Sequence, residues 1–163
     1  MDGERPTTGE VLRPVSFVGT GVYHRPIMQG ANKKPLGRSP RSQLGVIDYT
    51  LAKRAILRDA RIGVLGMTDL CDAHPELLRA AKHVGEPTQT DCPVCGKDKL
   101  VLLAYVYGDG LKAESGRVWS IATGLRMAAA YPGSACYVVE VCRSCRWNHL
   151  REAFTARRKA AAG

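Results

Sequence analysis

The sequence of 163 residues has few large aromatic side chains and no long apolar run. It contains two Phe and two Trp, and aromatic residues make up 6% of the chain. A core with so few rings often needs a second source of stability, and at this size a bound metal is a common one. The longest apolar run, which ends at Tyr107, is far shorter than the roughly 20 residues of a membrane-spanning helix.

Targeting segments and catalytic motifs are also missing. The N-terminus carries Asp2 and Glu4 and has no apolar segment of the kind found in secretory signals. There is no HExxH sequence, no phosphate-binding glycine loop, and no Ser–His–acid or Cys–His grouping at a suitable spacing. We therefore expect a cytoplasmic protein that is not an enzyme, binds no small-molecule substrate and does not associate with membranes. Its cysteines would be reduced in that compartment, where closely paired cysteines indicate metal ligands rather than disulfides.

Four of the six cysteines form two C-x-x-C pairs, Cys92 with Cys95 and Cys142 with Cys145, separated by 46 residues. Two intervening residues let both sulfurs of a turn face one point, so two such turns supply four thiolates in the tetrahedral arrangement that Zn²⁺ favours. We expect one structural zinc ion in a zinc ribbon. Four thiolates leave no open coordination position, so this zinc would not activate water.

The residues that follow the two cysteine pairs, the other two cysteines and one histidine are interpreted separately. Gly96 follows the first pair at a position that often requires positive φ, whereas Arg146 follows the second pair, which predicts either a different turn geometry or mild strain. Cys71 and Cys136 are expected to be buried thiols. His149 lies four positions after Cys145 but is not needed as a ligand beside four cysteines.

The chain divides into four predicted segments, giving an α+β protein. Residues 1–41 hold five prolines and six glycines and predict an extended basic arm. Residues 42–91 predict a small helical unit, with helices from Ser42 to about residue 60, from Thr68 to Ala73, and from Pro75 to about His83. Residues 92–155 predict the zinc ribbon, in which antiparallel strands at 100–107 and 135–141 flank an inserted helix at 118–130. Residues 156–163 form a basic C-terminal end.

The net charge of +9 is unevenly distributed: residues 1–41 carry +4, residues 42–91 carry −1 and residues 92–163 carry +6. Four thiolates with one Zn²⁺ would add −2 to the last segment. The two basic segments predict an anionic partner, most often nucleic acid. The candidate nucleic-acid-binding residues are Arg13, Arg25, Lys33, Lys34, Arg38, Arg41, Arg146, Arg151, Arg157, Arg158 and Lys159.

The three predicted helices resemble a helix-turn-helix in outline. The last of them carries Arg79 and Lys82, but Asp69, Asp72 and Glu76 lie close by and disfavour contact with a phosphate backbone. A protein-binding or purely structural role is therefore favoured over DNA reading for residues 42–91.

Four stretches resemble a family of high-GC Gram-positive bacterial proteins that is known only as a domain of unknown function. They are VIDYTLAKRAILRD (46–59), DLCDAHPELLRAAKHVGEP (69–87), CPVCGK (92–97) and VVEVCRSCRWNHL (138–150). The resemblance covers roughly residues 42–155 and leaves the N-terminal arm outside. It implies a zinc-binding protein of helices followed by a ribbon, and it implies no activity.

These observations lead to three hypotheses of function. The first is an accessory protein that binds the ribosome, its RNA or another ribonucleoprotein through the basic arm and the ribbon. The second is a transcription factor associated with RNA polymerase or DNA. The third is a zinc–thiolate sensor of redox state or metal, which would require accessible and reactive thiolates.

Overall fold

The computed structural model describes residues 43–156, which form one antiparallel sheet with helices packed around it. The elements follow the order β1 (Gln43–Asp48), α1 (Thr50–Arg61), α2 (Met67–Leu70), α3 (Pro75–His83), β2 (Glu86–Asp91), β3 (Lys99–Tyr107), a 3-10 segment (Asp109–Glu114), β4 (Val118–Trp119), α4 (Ile121–Ala130), β5 (Ala135–Val141) and β6 (Asn148–Ala156). The expected α+β class is confirmed. None of the helices in residues 43–156 is long and apolar enough to span a bilayer.

The strands are arranged in the order β1-β6-β5-β3-β2, and the short β4 also pairs with β3. All pairings are antiparallel. The central pair, β3 and β5, runs in continuous register from Val101 opposite Val141 to Tyr107 opposite Ala135. Both central strands are buried over most of their length, because helices cover both faces of the sheet.

Alternate residues of β3 point into two different halves of the core, as the two-residue period of a strand requires. Leu102, Ala104 and Val106 face α4 and pack with its buried residues Ile121 and Ala128. On the other face, α3 packs on the sheet through residues in a second buried cluster, whose members are Ala73, Leu77, Ala81, Val101, Leu103, Tyr105, Val139 and Val141. One helix therefore shields each face of the sheet.

A third apolar cluster lies at the end of the sheet that carries the cysteine pairs. Its buried members are Leu70, Cys92, Leu100, Cys142 and Trp147. Half-buried residues of α1 and of the α1–α2 connection, Ile56, Leu57, Ala60 and Leu65, pack against them. The helices α1 and α2 are thus positioned by the cysteine end of the molecule.

The prediction of a helix from Ser42 is wrong in its first part, because residues 43–48 form β1 and α1 begins only at Thr50. Ser42, the expected N-cap, lies outside the described residues. The strand pairs with β6 at the sheet edge, and Gly45 in it has φ of +57°. Asp48 ends the strand, and its Oδ1 accepts a hydrogen bond at 2.6 Å from the backbone N–H of Thr50, the first residue of α1.

Residues 42–91 contain strands as well as helices, and their helices do not form the expected bundle. The polar segment Glu86–Asp91 is a strand, β2, which pairs with β3 at the opposite sheet edge from β1. Helix α3 packs on the sheet face, whereas α1 and α2 pack at the cysteine end. The three helices therefore share no common core: α3 contributes its apolar side to the sheet face, and α1 and α2 pack with the residues around the cysteine turns. The boundaries of α3 agree with the sequence, and α4 begins three residues later than expected.

Candidate metal centre

The two C-x-x-C pairs occupy the turns of two β-hairpins. Cys92 and Cys95 lie between β2 and β3, and Cys142 and Cys145 lie between β5 and β6. Because β3 pairs with β5 and Val101 stands opposite Val141, both turns project from the same end of the sheet. The register of the two central strands thus brings together cysteines that are far apart in the sequence.

The four sulfurs form a compact group of the size that a single metal ion requires. All four Sγ atoms lie within 4.8 Å of one another, with Cys92 Sγ 3.5 Å from Cys145 Sγ and Cys95 Sγ 3.7 Å from Cys142 Sγ. Sulfurs at about 2.3 Å from a central ion would be separated by about 3.8 Å in a tetrahedron. None of the four is in a disulfide. The donor set and its dimensions fit a tetrahedrally coordinated metal ion.

The two turns have closely similar backbones. Gly96 N donates to Cys92 O at 3.0 Å, and Arg146 N donates to Cys142 O at 3.1 Å. Gly96 has φ of +63° and Arg146 has φ of +69°. The second turn therefore keeps the left-handed geometry of the first, although Arg146 has a Cβ that disfavours it. Between the turns, Ser144 Oγ donates to Asp98 Oδ2 at 3.1 Å.

The thiols differ in how easily they lose a proton. A hydrogen bond from the backbone of Lys97 lowers the pKa of Cys95 to about 7. Burial raises the pKa of Cys145 to about 12, and it also raises the pKa of Cys92 and of Cys142. Because thiolates are the metal-binding form, metal binding at this centre would release protons.

A buried polar network, which the sequence patterns above do not predict, lies directly behind the second turn. Glu140 on β5 is 3% exposed, forms an ion pair with Lys53 of α1, and accepts a hydrogen bond from Trp147 Nε1 at 3.3 Å. His149 stands opposite Glu140 on β6, and its ring stacks on that of Trp147 with centroids 5.7 Å apart. An acidic residue in the apolar stretch Ala135–Val141 was the available signal, since a buried carboxylate requires partners.

Further hydrogen bonds connect the second turn to the chain that follows α2. The Arg146 guanidinium donates to Ala73 O at 2.9 Å, and Ala73 N donates to Arg146 O at 3.0 Å. Asn148 Nδ2 donates to Asp72 Oδ1 at 2.8 Å. Arg146, a candidate for nucleic-acid contact, therefore has a partner within its own chain.

Of the other basic candidates, Arg151 lies within the described residues. Arg151 lies half-buried on β6, where its carbonyl accepts a hydrogen bond from Tyr49 N at 3.0 Å. The remaining candidates lie outside the described residues; they are Arg13, Arg25, Lys33, Lys34, Arg38, Arg41, Arg157, Arg158 and Lys159. The expected arm (1–41) and nearly all of the basic end (156–163) are likewise outside them.

The remaining cysteines and His149 stay outside the sulfur cluster. Cys136 is fully buried beneath α4, as expected. Cys71 is only half-buried and packs beside the third apolar cluster. His149 is buried next to Trp147 and Glu140, its pKa is lowered by burial, and its Nδ1 has no hydrogen-bond partner among the described residues.

A groove of about 580 Å³ lies between α3 and the segment that leads into β4, with Tyr105 among its lining residues. The charged residues that line the groove form ion pairs with one another: Arg79 pairs with Glu76, and Arg117 pairs with Glu114. None of the four clustered cysteines lines it. This groove therefore adds no chemistry to the metal centre.

Comparison with known proteins gives relatives without an assigned activity. The model of a family described as a family of unknown function, DUF5318, matches residues 40–163. Uncharacterized protein Rv0049 of Mycobacterium tuberculosis is 42% identical over 108 residues, which are 66% of this chain and 79% of the relative. Uncharacterized protein Mb0050 of Mycobacterium bovis matches with the same identity and coverage. No solved structure matches the chain.

Proposed function

Since the chain belongs to the family of unknown function DUF5318, we propose its function from the geometry of the four-cysteine centre: a non-enzymatic zinc-ribbon accessory protein that binds the ribosome or another ribonucleoprotein. The observation that carries this proposal is the meeting of two cysteine turns on adjacent hairpins, with all four Sγ atoms within 4.8 Å. Two hairpin turns that share one tetrahedral ion are the defining feature of a zinc ribbon. The basic arm and the ribbon would contact the partner.

Zinc is the ion proposed because four thiolates in a tetrahedron are a typical structural zinc site. Iron also accepts four cysteine ligands, so metal analysis of the purified chain decides between them. We expect one zinc ion per chain and no iron. A stoichiometric iron content with visible absorption would contradict the choice of metal.

A non-catalytic role is supported by the saturation of the site. Four protein ligands leave no position for a water or a substrate, so the ion would stabilise the turns and not act as a Lewis acid. Lys97 in the first turn and Arg143 in the second are exposed, and neither forms an ion pair within residues 43–156. These side chains are available to phosphate groups.

The test is density-gradient fractionation of a host lysate that contains a tagged full-length chain, with and without ribonuclease. We expect co-migration with ribosomal particles that is lost on digestion. The double variant Lys97→Glu/Arg143→Glu should shift the protein toward light fractions, whereas Lys82→Glu, which reverses an exposed charge on α3, should not. A wild-type protein that stays in the light fractions under both conditions would contradict the ribonucleoprotein proposal, and polymerase association would be tested next.

A second candidate function is a thiolate sensor of redox state or metal. It is favoured by the partial exposure of Cys95 and Cys145, while Cys92 and Cys142 are buried. One sulfur of each turn could therefore be reached by an oxidant. Mild peroxide should then release zinc far faster than it does from a structural site with four buried ligands. Slow release would contradict the sensor function and favour the accessory role.

A further inference from the structure

The segment of residues 49–73, here called the α1–α2 segment, is held at the cysteine end of the molecule. Helix α1 has no fully buried residue, so its own packing on the sheet is slight. An isolated helix of 12 residues is marginal in water, so α1 depends on docking to remain helical. The stability of α1 therefore depends on the surface against which it docks.

Four polar contacts tie this segment to residues 140–148, which contain the second cysteine turn. Lys53 pairs with Glu140, and Asn148 donates to Asp72. Arg146 donates to the carbonyl of Ala73 and accepts from its amide. These contacts bracket Cys142 and Cys145 on both sides.

The apolar contacts of α1 and α2 converge on the same place, whereas Ala73 at the end of the segment packs in the second buried cluster beside α3. Leu70 is 4% exposed and belongs to the buried cluster that contains Cys92, Cys142 and Trp147. The half-buried side chains of α1 pack against this cluster as well. By contrast, α3 and α4 pack on the central strands β3 and β5, away from the cysteine turns.

We propose that metal occupancy of the four-cysteine centre controls the docking of the α1–α2 segment. The ion would fix the second turn against the first, and residues 140–148, which contain that turn, carry the contacts that hold the segment. Loss of the ion releases and unfolds residues 49–73 while the sheet, α3 and α4 remain folded. This inference rests on metal binding by the four cysteines, as set out under the proposed function.

Hydrogen exchange of the full-length chain tests the proposal, with zinc bound and after removal of zinc by a chelator under reducing conditions. Metal content is measured first. We expect amide exchange in α1 to become at least about tenfold faster without zinc, and exchange in α4 to change less than about twofold. Unchanged protection of α1, or simultaneous loss of protection in all elements, would overturn the proposal. A chain that binds no metal would overturn both this inference and the zinc-ribbon proposal.

Coupling of this kind is reciprocal, so weaker docking must weaken metal binding. Leu70→Ala should reduce zinc affinity at least about fivefold in competition with a chromophoric chelator. Ile121→Ala is the matched control, since Ile121 of α4 is similarly buried, at 3% exposed, but packs on the central strands away from the cysteine turns. Equal zinc affinities in the two variants would overturn the proposal. If Leu70→Ala does not fold, Asp72→Ala is used in its place, since it removes only the surface hydrogen bond from Asn148. Amide exchange in α1 of the zinc-bound Asp72→Ala variant that equals the wild-type rate would also overturn the proposal.

Discussion

Lys53 of α1 and Glu140 of β5 form an ion pair in which the carboxylate is almost completely buried: the side chain of Glu140 is 4% exposed and that of Lys53 is 22% exposed. The pair joins the first helix to a central strand beside the second cysteine turn. Such a pair adds little net stability, yet removal of one partner leaves an uncompensated charge in the interior.

Lys53→Met should therefore destabilise the fold by about 2–3 kcal/mol, because Glu140 would remain buried without its cation. Urea unfolding at saturating zinc measures this. The double variant Lys53→Met/Glu140→Gln should recover most of the loss, since Gln keeps an acceptor for Trp147 Nε1 without a charge. Lys82→Met on the exposed end of α3 serves as control and should change stability by less than about 0.5 kcal/mol. A single variant as stable as wild type would show that the pair is not buried in solution.

Cys142→Ser should abolish stoichiometric zinc binding and lower stability by several kcal/mol, because the energy of metal binding contributes directly to folding. Elemental analysis and denaturant unfolding give the two values. Cys71→Ser is the matched control: Cys71 is a half-buried thiol that is not part of the sulfur cluster, so this variant should retain one zinc ion. Loss of zinc in Cys71→Ser would mean that the ligand set is wrongly assigned.

Gly124→Ala should destabilise the protein by about 1–3 kcal/mol although alanine is the better helix former. A Cβ at Gly124 would lie 2.5 Å from Ala104 Cβ, so α4 could not keep its close approach to β3. Thermal unfolding provides the measurement. Adding Ala104→Gly should restore part of the lost stability, because it removes the methyl group that clashes. A higher melting temperature for Gly124→Ala would contradict the prediction that close packing of α4 on β3 requires glycine here.

His149 should make the fold less stable below neutral pH. Burial lowers its pKa, so the folded protein keeps this ring neutral while the unfolded chain takes up a proton below a pKa of about 6.5. The unfolded state then binds more protons, and stability falls as the pH decreases from about 7. His149→Phe should reduce the loss between pH 7.5 and pH 5.5 by about 1 kcal/mol. His83→Gln, at an exposed position on α3, should show the wild-type pH profile; identical profiles for all three proteins would argue against a neutral buried His149.

The cysteine cluster and the central elements could be predicted from the sequence because their signals are local. Two C-x-x-C pairs specify the cluster, and a continuous apolar run specifies the buried strand β3. Pro75 marks the start of α3, with His74 Nδ1 accepting from Glu76 N at 3.3 Å.

The edge strands could not be predicted because their pairing depends on distant residues. Leu44, Ile47 and Leu51 have helical spacing, but the spacing crosses the junction between β1 and α1. Strand β2 is polar and mostly exposed, so it lacks the alternation of a half-buried strand. The ion pair of Lys53 and Glu140 joins residues in different elements, so the acidic residue in an apolar strand signals a buried charge but does not identify its cation.

The pairing of β1 with β6 also constrains the order in which the chain can fold. Asp48 stands opposite Glu152, so β1, the first strand within residues 43–156, can pair with β6 only after residues up to 156 have been synthesised. The hairpin of β2 and β3, by contrast, can close as soon as it leaves the ribosome. Strand β1 therefore lacks its partner β6 during this interval, and the growing chain carries a strand edge that a chaperone or a neighbouring chain could bind.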